Sequence, residues 1–110
     1  MIAGIGCDIV DLNRLKIDNE HFIERILTKK ERLVYQSKKS SQHKKEFLGG
    51  RLACKEAFFK AYGIEHKIIS FQDIEILNDE NGKPHLNFPK TFVSLSHEKD
   101  YAIAYVIVEK

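Results

Sequence analysis

The chain of 110 residues has no tryptophan, one methionine, two prolines and two cysteines, and each scarcity excludes something. Cys7 and Cys54 make neither a metal-ligand spacing nor a disulfide framework, so they read as packed thiols of a reducing compartment. No apolar run approaches the roughly 18 residues that a spanning helix needs. No basic segment leads into an apolar run near Met1. The reading therefore expects no membrane span, no signal peptide and a cytoplasmic chain. Repeats and low-complexity segments are absent, and the length suits one domain over residues 1–110 with a core of modest stability.

Charge of one sign is also scarce overall, with a net of +2, but the total hides an uneven split. Residues 1–67 carry 14 Lys or Arg against 9 Asp or Glu, a net +5, while residues 68–110 carry 4 against 7, a net −3. The first half is thus a candidate docking surface for an acidic partner.

What is present is mixed structure with strands at both ends and helices between. In Ile2–Val10, alternation places Gly4, Gly6 and Asp8 on one face and Ala3, Ile5, Cys7 and Ile9 on the other. Asp8 projects from a face cleared of side chains. Glycine inside a strand marks close approach by a ligand or another backbone, so the pair suggests that something bulky docks there; a plainer reading makes Asp8 a cap for the turn at 11–13.

Helical spacing of Phe22, Ile23, Ile26 and Leu27 predicts a helix over 19–27, and Thr28 with Glu31 has the form of a capping box for a second helix running to about Lys38. The polar run 38–45 reads as a connection to a long helix that ends near Tyr62, with Gly63 as its stop. On that helix Phe47, Leu48, Leu52, Phe58, Phe59 and Tyr62 fall within an arc of roughly 140°. Arg51 and Lys55 lie in the middle of it and Glu56 at its edge, beside a strip of small residues, Gly49, Ala53 and Ala57, with Lys60 among them. Charges bordering an apolar stripe are costly to desolvate unless they meet an anion or a metal. The alternative is that Arg51 and Lys55 snorkel to water and that Glu56 and Lys60 pair four residues apart.

From Ser70 the period changes to two. Ile74 and Ile76 alternate with Asp73 and Glu75, and the turn at 78–84, with Gly82 at its tip, predicts a hairpin into His85–Phe88. A second hairpin pairs 92–96 with 101–108, and His97 closes its first arm after Ser94 and Ser96. That histidine reads as a base, a phosphate ligand or a turn residue bonded to its own backbone.

These segments, in this order, resemble the holo-acyl-carrier-protein synthase family, the short type of 4'-phosphopantetheinyl transferase. The match runs through Gly6-Cys-Asp8-Ile-Val10, Phe22-Ile-Glu-Arg25-Ile-Leu-Thr28 with Glu31, Arg51 with Lys55-Glu56-Ala and Lys60-Ala, Asn78 through Gly82-Lys83-Pro84, and Ser94-Leu-Ser96-His97. The resemblance implies an α+β fold with antiparallel hairpins packed on a long helix. It implies transfer of 4'-phosphopantetheine from coenzyme A to a serine of apo acyl carrier protein for fatty acid synthesis, releasing adenosine 3',5'-bisphosphate. Asp8 and Glu56 would hold magnesium, or alternatively manganese, and Lys60 would lie against the phosphates. Arg51 and Lys55 would meet other anionic groups of coenzyme A, with Gly82, Lys83, Pro84, Ser96 and His97 around its nucleotide end. For the base, a water oriented by Glu56 and a carboxylate acting directly both stay open.

The implied partner is the acidic carrier, with Arg14 a contact by resemblance and Arg25 by charge, and the implied assembly is a homotrimer with sites between protomers. Asp11 and Cys54 depart from the family pattern, where a glutamate and an alanine are usual; an exposed Cys54 would make the enzyme sensitive to thiol reagents. Two competitors remain. A nucleic-acid module would use the basic half with Phe58, Phe59 and Tyr62 as stacking groups, against which stand their place on the core face and a pI of only about 8.5. A metal-dependent hydrolase of coenzyme A would use the same carboxylates without a protein acceptor.

Overall fold

The architecture is arranged around one long helix whose stretch from Phe47 to Ala61 is largely buried. The computed structural model describes residues 1–63 and 70–110. Its elements are β1 (Ile2–Asp11), α1 (Glu20–Ile26), α2 (Lys29–Ser37), α3 (Ser41–Tyr62), β2 (Ile76–Asn78), β3 (Pro84–Leu86), β4 (Thr91–His97) and β5 (Tyr101–Glu109), with short 3-10 turns at Leu12–Arg14 and Phe71–Asp73. β5 lies between β1 and β4, antiparallel to both, and β2 and β3 form a separate hairpin. This is the expected α+β arrangement.

The glycines of β1 are explained by α3. A Cβ on Gly4 would stand 1.8 Å from the Ala61 carbonyl oxygen, and one on Gly6 would stand 2.0 Å from that of Ala57. The bulky group that docks on the bare strand face is therefore the backbone of α3. Two residues along the strand, about 6.6 Å, match four along the helix, about 6 Å, so the helix runs antiparallel to the strand with its alanines on the glycines. Ala53, Ala57 and Ala61 are buried there together with Ala104 and Val106 of β5.

The flanking helices begin as their sequences predict. Asn19 caps α1 through the Phe22 amide, and both halves of the Thr28–Glu31 capping box form. α3 departs from expectation by starting earlier. Ser40 Oγ accepts the His43 amide at 3.0 Å, so the connection shrinks to residues 38–40 and the polar stretch to Glu46 is helix. Gly63, at φ 94°, stops it as expected.

The aromatics that a nucleic-acid module would need are in the core. Phe58 is buried, with its ring 4.9 Å from Tyr62 and 4.7 Å from Phe88, and Phe59 packs on Phe71. The opposite face of the three-stranded sheet is apolar and open. Ile5, Ile9, Phe92, Tyr101 and Tyr105 are each about half exposed or more.

Candidate active site

The close seating of β1 on α3 decides where Asp8 goes. It follows Gly4 and Gly6 on the same strand face, so its carboxylate arrives at α3 beside Glu56 and Lys60. Lys60 Nζ donates to Asp8 Oδ1 at 3.2 Å and to the Cys7 carbonyl at 2.9 Å. The ion pair that forms is thus across elements, to Asp8, and not within the helix to Glu56. Asp11, and not Asp8, caps the following turn by accepting the Asn13 amide.

Glu56 is half-buried, and its carboxyl pKa is raised, first by burial and next by the negative charge of Asp8, with Lys60 opposing. Two carboxylates that repel each other in a partly desolvated place form a donor set suited to a hard cation. Among the described residues no group of three or more His, Cys, Asp and Glu comes together to hold a metal. Two carboxylates nonetheless fit magnesium, which takes few protein ligands and completes its octahedron with water and phosphate oxygens.

A second place lies on another side of α3. A cleft of about 320 Å³ is lined by Arg51, Gly82, Pro84, Ser96 and His97, together with Lys38, His43, Glu46 and Asn78. Four of the five residues expected around the nucleotide end, Gly82, Pro84, Ser96 and His97, are therefore assembled, and Arg51, expected at other anionic groups of coenzyme A, stands with them. Arg51 is held by Nε donating to the Ile76 carbonyl at 3.2 Å, by Nη2 donating to Asn78 Oδ1 at 3.1 Å, and by its stacking over Phe47 at 4.2 Å. It still lines the cleft and has donors beyond those two bonds. His97 Nδ1 lies 3.5 Å from Glu46 Oε2, and Gln42 donates to that same oxygen and to the Lys99 carbonyl. Gly82, at φ 84°, forms the hairpin tip.

Lys83 is exposed and not on the cleft wall; its backbone amide donates to Asp79. His43 lies in the stretch that reads as a connection, and Glu46 just beyond it; neither carries a sequence signal for the cleft. The cleft lining does not include Asp8, Glu56 or Lys60. Arg51 and Glu56 are five residues apart, about 7.5 Å along the helix and about 140° around it, so one chain presents the two places on different faces.

Lys55 requires a correction. It is fully buried, and its ammonium donates to Glu31 Oε1 at 2.6 Å, the Ile26 carbonyl at 2.5 Å and the Phe71 carbonyl at 3.1 Å. All three of its protons are engaged, so it does not meet a solvent-borne anion here. Cys54 is likewise buried, and burial pushes its thiol up to about 12. Sensitivity through an exposed Cys54 therefore falls away. Iodoacetamide at pH 8 should leave Cys54 unlabelled in native protein and label it after denaturation, as read by peptide mass; native labelling at the denatured rate would contradict the burial.

Comparison with known proteins bears on this geometry. The ACPS family model, described as the 4'-phosphopantetheinyl transferase superfamily, matches residues 4–106. The holo-[acyl-carrier-protein] synthase of Geobacillus sp. (strain WCH70) is 48% identical over 118 residues, covering 100% of this chain and 98% of that one. A crystal structure of the holo-(acyl-carrier-protein) synthase from Bacillus anthracis str. Ames in complex with CoA (3',5'-ADP) superposes with a TM-score of 0.87 at 45% identity, covering 97% of this chain and 96% of that one. The Helicobacter pylori synthase in complex with coenzyme A gives a TM-score of 0.77 at 30% identity, covering 94% and 97%.

Proposed function

The chain belongs to the 4'-phosphopantetheinyl transferase superfamily, and we propose that the two places on α3 are the working parts of a holo-[acyl-carrier-protein] synthase, one for the pyrophosphate and one for the nucleotide. The reaction moves the 4'-phosphopantetheine of coenzyme A onto a serine of apo acyl carrier protein. The serine hydroxyl gives up its proton to a base at the site, its oxygen forms a bond to the phosphorus that carries pantetheine, the bond from that phosphorus to the bridging oxygen breaks, and adenosine 3',5'-bisphosphate leaves with the bonding pair.

The observation that carries this reading is the meeting of Asp8, Glu56 and Lys60 where β1 crosses α3. Asp8 and Glu56 would hold magnesium, and the ion when bound would supply positive charge to offset the negative charge of the pyrophosphate. Lys60 is more than half exposed on a flexible stem, and it turns from Asp8 to a phosphate oxygen when coenzyme A binds. Arg51 and His97 face the nucleotide end in the cleft, with Ser96, Gly82 and Pro84 shaping its wall; Lys83 acts from the hairpin rim. Arg14 and Arg25, both exposed near α1, meet the acidic carrier.

The open apolar face of the sheet supports a homotrimer in which copies cover one another there, bringing the cleft of one chain to the carboxylate pair of the next. Sedimentation at three times the chain mass tests that assembly. Among the described residues no helix is long and apolar enough to cross a membrane, and the proposed setting is the cytoplasm.

The deciding experiment mixes the protein with apo carrier, coenzyme A and magnesium and follows the intact mass of the carrier. We expect a gain of one phosphopantetheine that a chelator abolishes. Cleavage of coenzyme A with an unchanged carrier would replace transfer by hydrolysis.

A further inference from the structure

The buried Lys55 immediately precedes Glu56, and the groups its ammonium reaches come from three other elements. Glu31 belongs to α2, Ile26 is the last residue of α1, and Phe71 opens the second 3-10 turn. Glu31 is equally committed: Oε1 also accepts the Thr28 amide, and Oε2 accepts the Ile76 amide of β2 at 2.8 Å. The same end of α1 is gripped a second time, since the Gln72 side-chain amide donates to the carbonyls of Glu24 and Leu27. A seven-residue helix is too short to sustain itself, and α1 buries only Ile23 and Ile26 among its own residues. Its C-terminal carbonyls lack partners within the helix, and outside side chains supply them. α1 also carries Arg25 and follows Arg14, the proposed carrier contacts.

Resting on the transferase reading above, we infer that Lys55 is a positioning residue: by clamping the end of α1 from the position next to Glu56, it fixes the carrier-docking helix relative to the Asp8–Glu56 pair without touching either substrate. The geometry makes a specific demand on kinetics. Loosening α1 shifts where the carrier seats and leaves the nucleotide cleft, whose wall contains no residue of α1, as it was.

The test uses the full chain and varies carrier and coenzyme A separately. Glu31→Gln/Lys55→Met removes both charges together, so neither is left buried alone. Gln72→Ala removes the second grip at the surface, where the buried pair is undisturbed. We expect the carrier KM to rise about tenfold in the double variant and about threefold in Gln72→Ala, with the KM for coenzyme A within about twofold of the parent. A carrier KM unchanged in the folded double variant, or a parallel rise in both KM values, would overturn the inference; if the double variant does not fold, Gln72→Ala decides by the same criterion. Parent protein assayed alongside keeps the two readings apart, because a parent that modifies no carrier sinks the transferase proposal itself.

Discussion

Glu56→Gln should lower carrier modification by about a thousandfold while its melting temperature stays at or above that of the parent. The two halves of this expectation come from one cause. Burial and the neighbouring charge of Asp8 raise the Glu56 pKa, so the folded protein holds a proton there more readily than the unfolded chain. The sign follows directly: a carboxyl raised in the folded state favours folding at low pH, and its ionised form opposes folding at neutral pH. An uncharged glutamine of the same shape removes that opposition and also removes the oxygen anion that a hard cation needs. Asp8→Asn should lose activity to a similar degree. Its ion pair with the half-exposed Lys60 is screened by solvent, so stability should move little. Binding of magnesium in the absence of coenzyme A, followed by calorimetry, gives a readout independent of turnover and should be lost in both variants. A Glu56→Gln protein that transfers phosphopantetheine at the parental rate would falsify the assignment of the site.

The parts of this arrangement that were legible in the sequence are those with a local signature. Alternation reveals β1, a nearly continuous β-branched and aromatic run reveals β5, the Thr28–Glu31 spacing reveals the start of α2, and Gly63 marks the end of α3. The motif at Lys55-Glu56-Ala and Lys60 identified the correct turn of the helix but not the division of labour within it. A cation in the middle of an apolar arc looks the same in sequence whether it awaits a ligand or already has a partner, and the partner of Lys55 stands 24 positions away in Glu31. In the sequence Glu31 reads as a capping residue, which it is; that its second oxygen reaches β2 across 45 positions has no sequence signal. The start of α3 is not legible because residues 41–45 are polar, and a solvated helical turn has the composition of a loop. For the glycines of β1, the pattern specified that a backbone or ligand comes close, and only the packing of Ala57 and Ala61 tells which.

Glu31→Ala should be the most destabilising single substitution in this region, by about 3–5 kcal/mol against the roughly 5–15 kcal/mol that holds a domain folded. Removing the carboxylate leaves the Thr28 and Ile76 amides without their acceptor and leaves an ammonium buried with only two carbonyls for company. Burial already lowers the Lys55 pKa, and Glu31 is the main influence holding it up; without Glu31 the lowering must grow. A lysine depressed in the folded state means that the unfolded chain binds more protons, so stability rises with pH. The variant should therefore recover part of its loss between pH 7 and pH 9.5, approaching the ordinary lysine pKa of about 10.4, and recover more than the parent gains over the same interval. Urea denaturation at the two pH values measures both quantities. Adding Lys55→Met to Glu31→Ala should return part of the stability at pH 7 and remove the excess pH dependence, since the buried cation is then gone. A Glu31→Ala protein within about 0.5 kcal/mol of the parent would mean that the buried ammonium finds compensation elsewhere, and that the Lys55 clamp on α1 does not depend on its carboxylate.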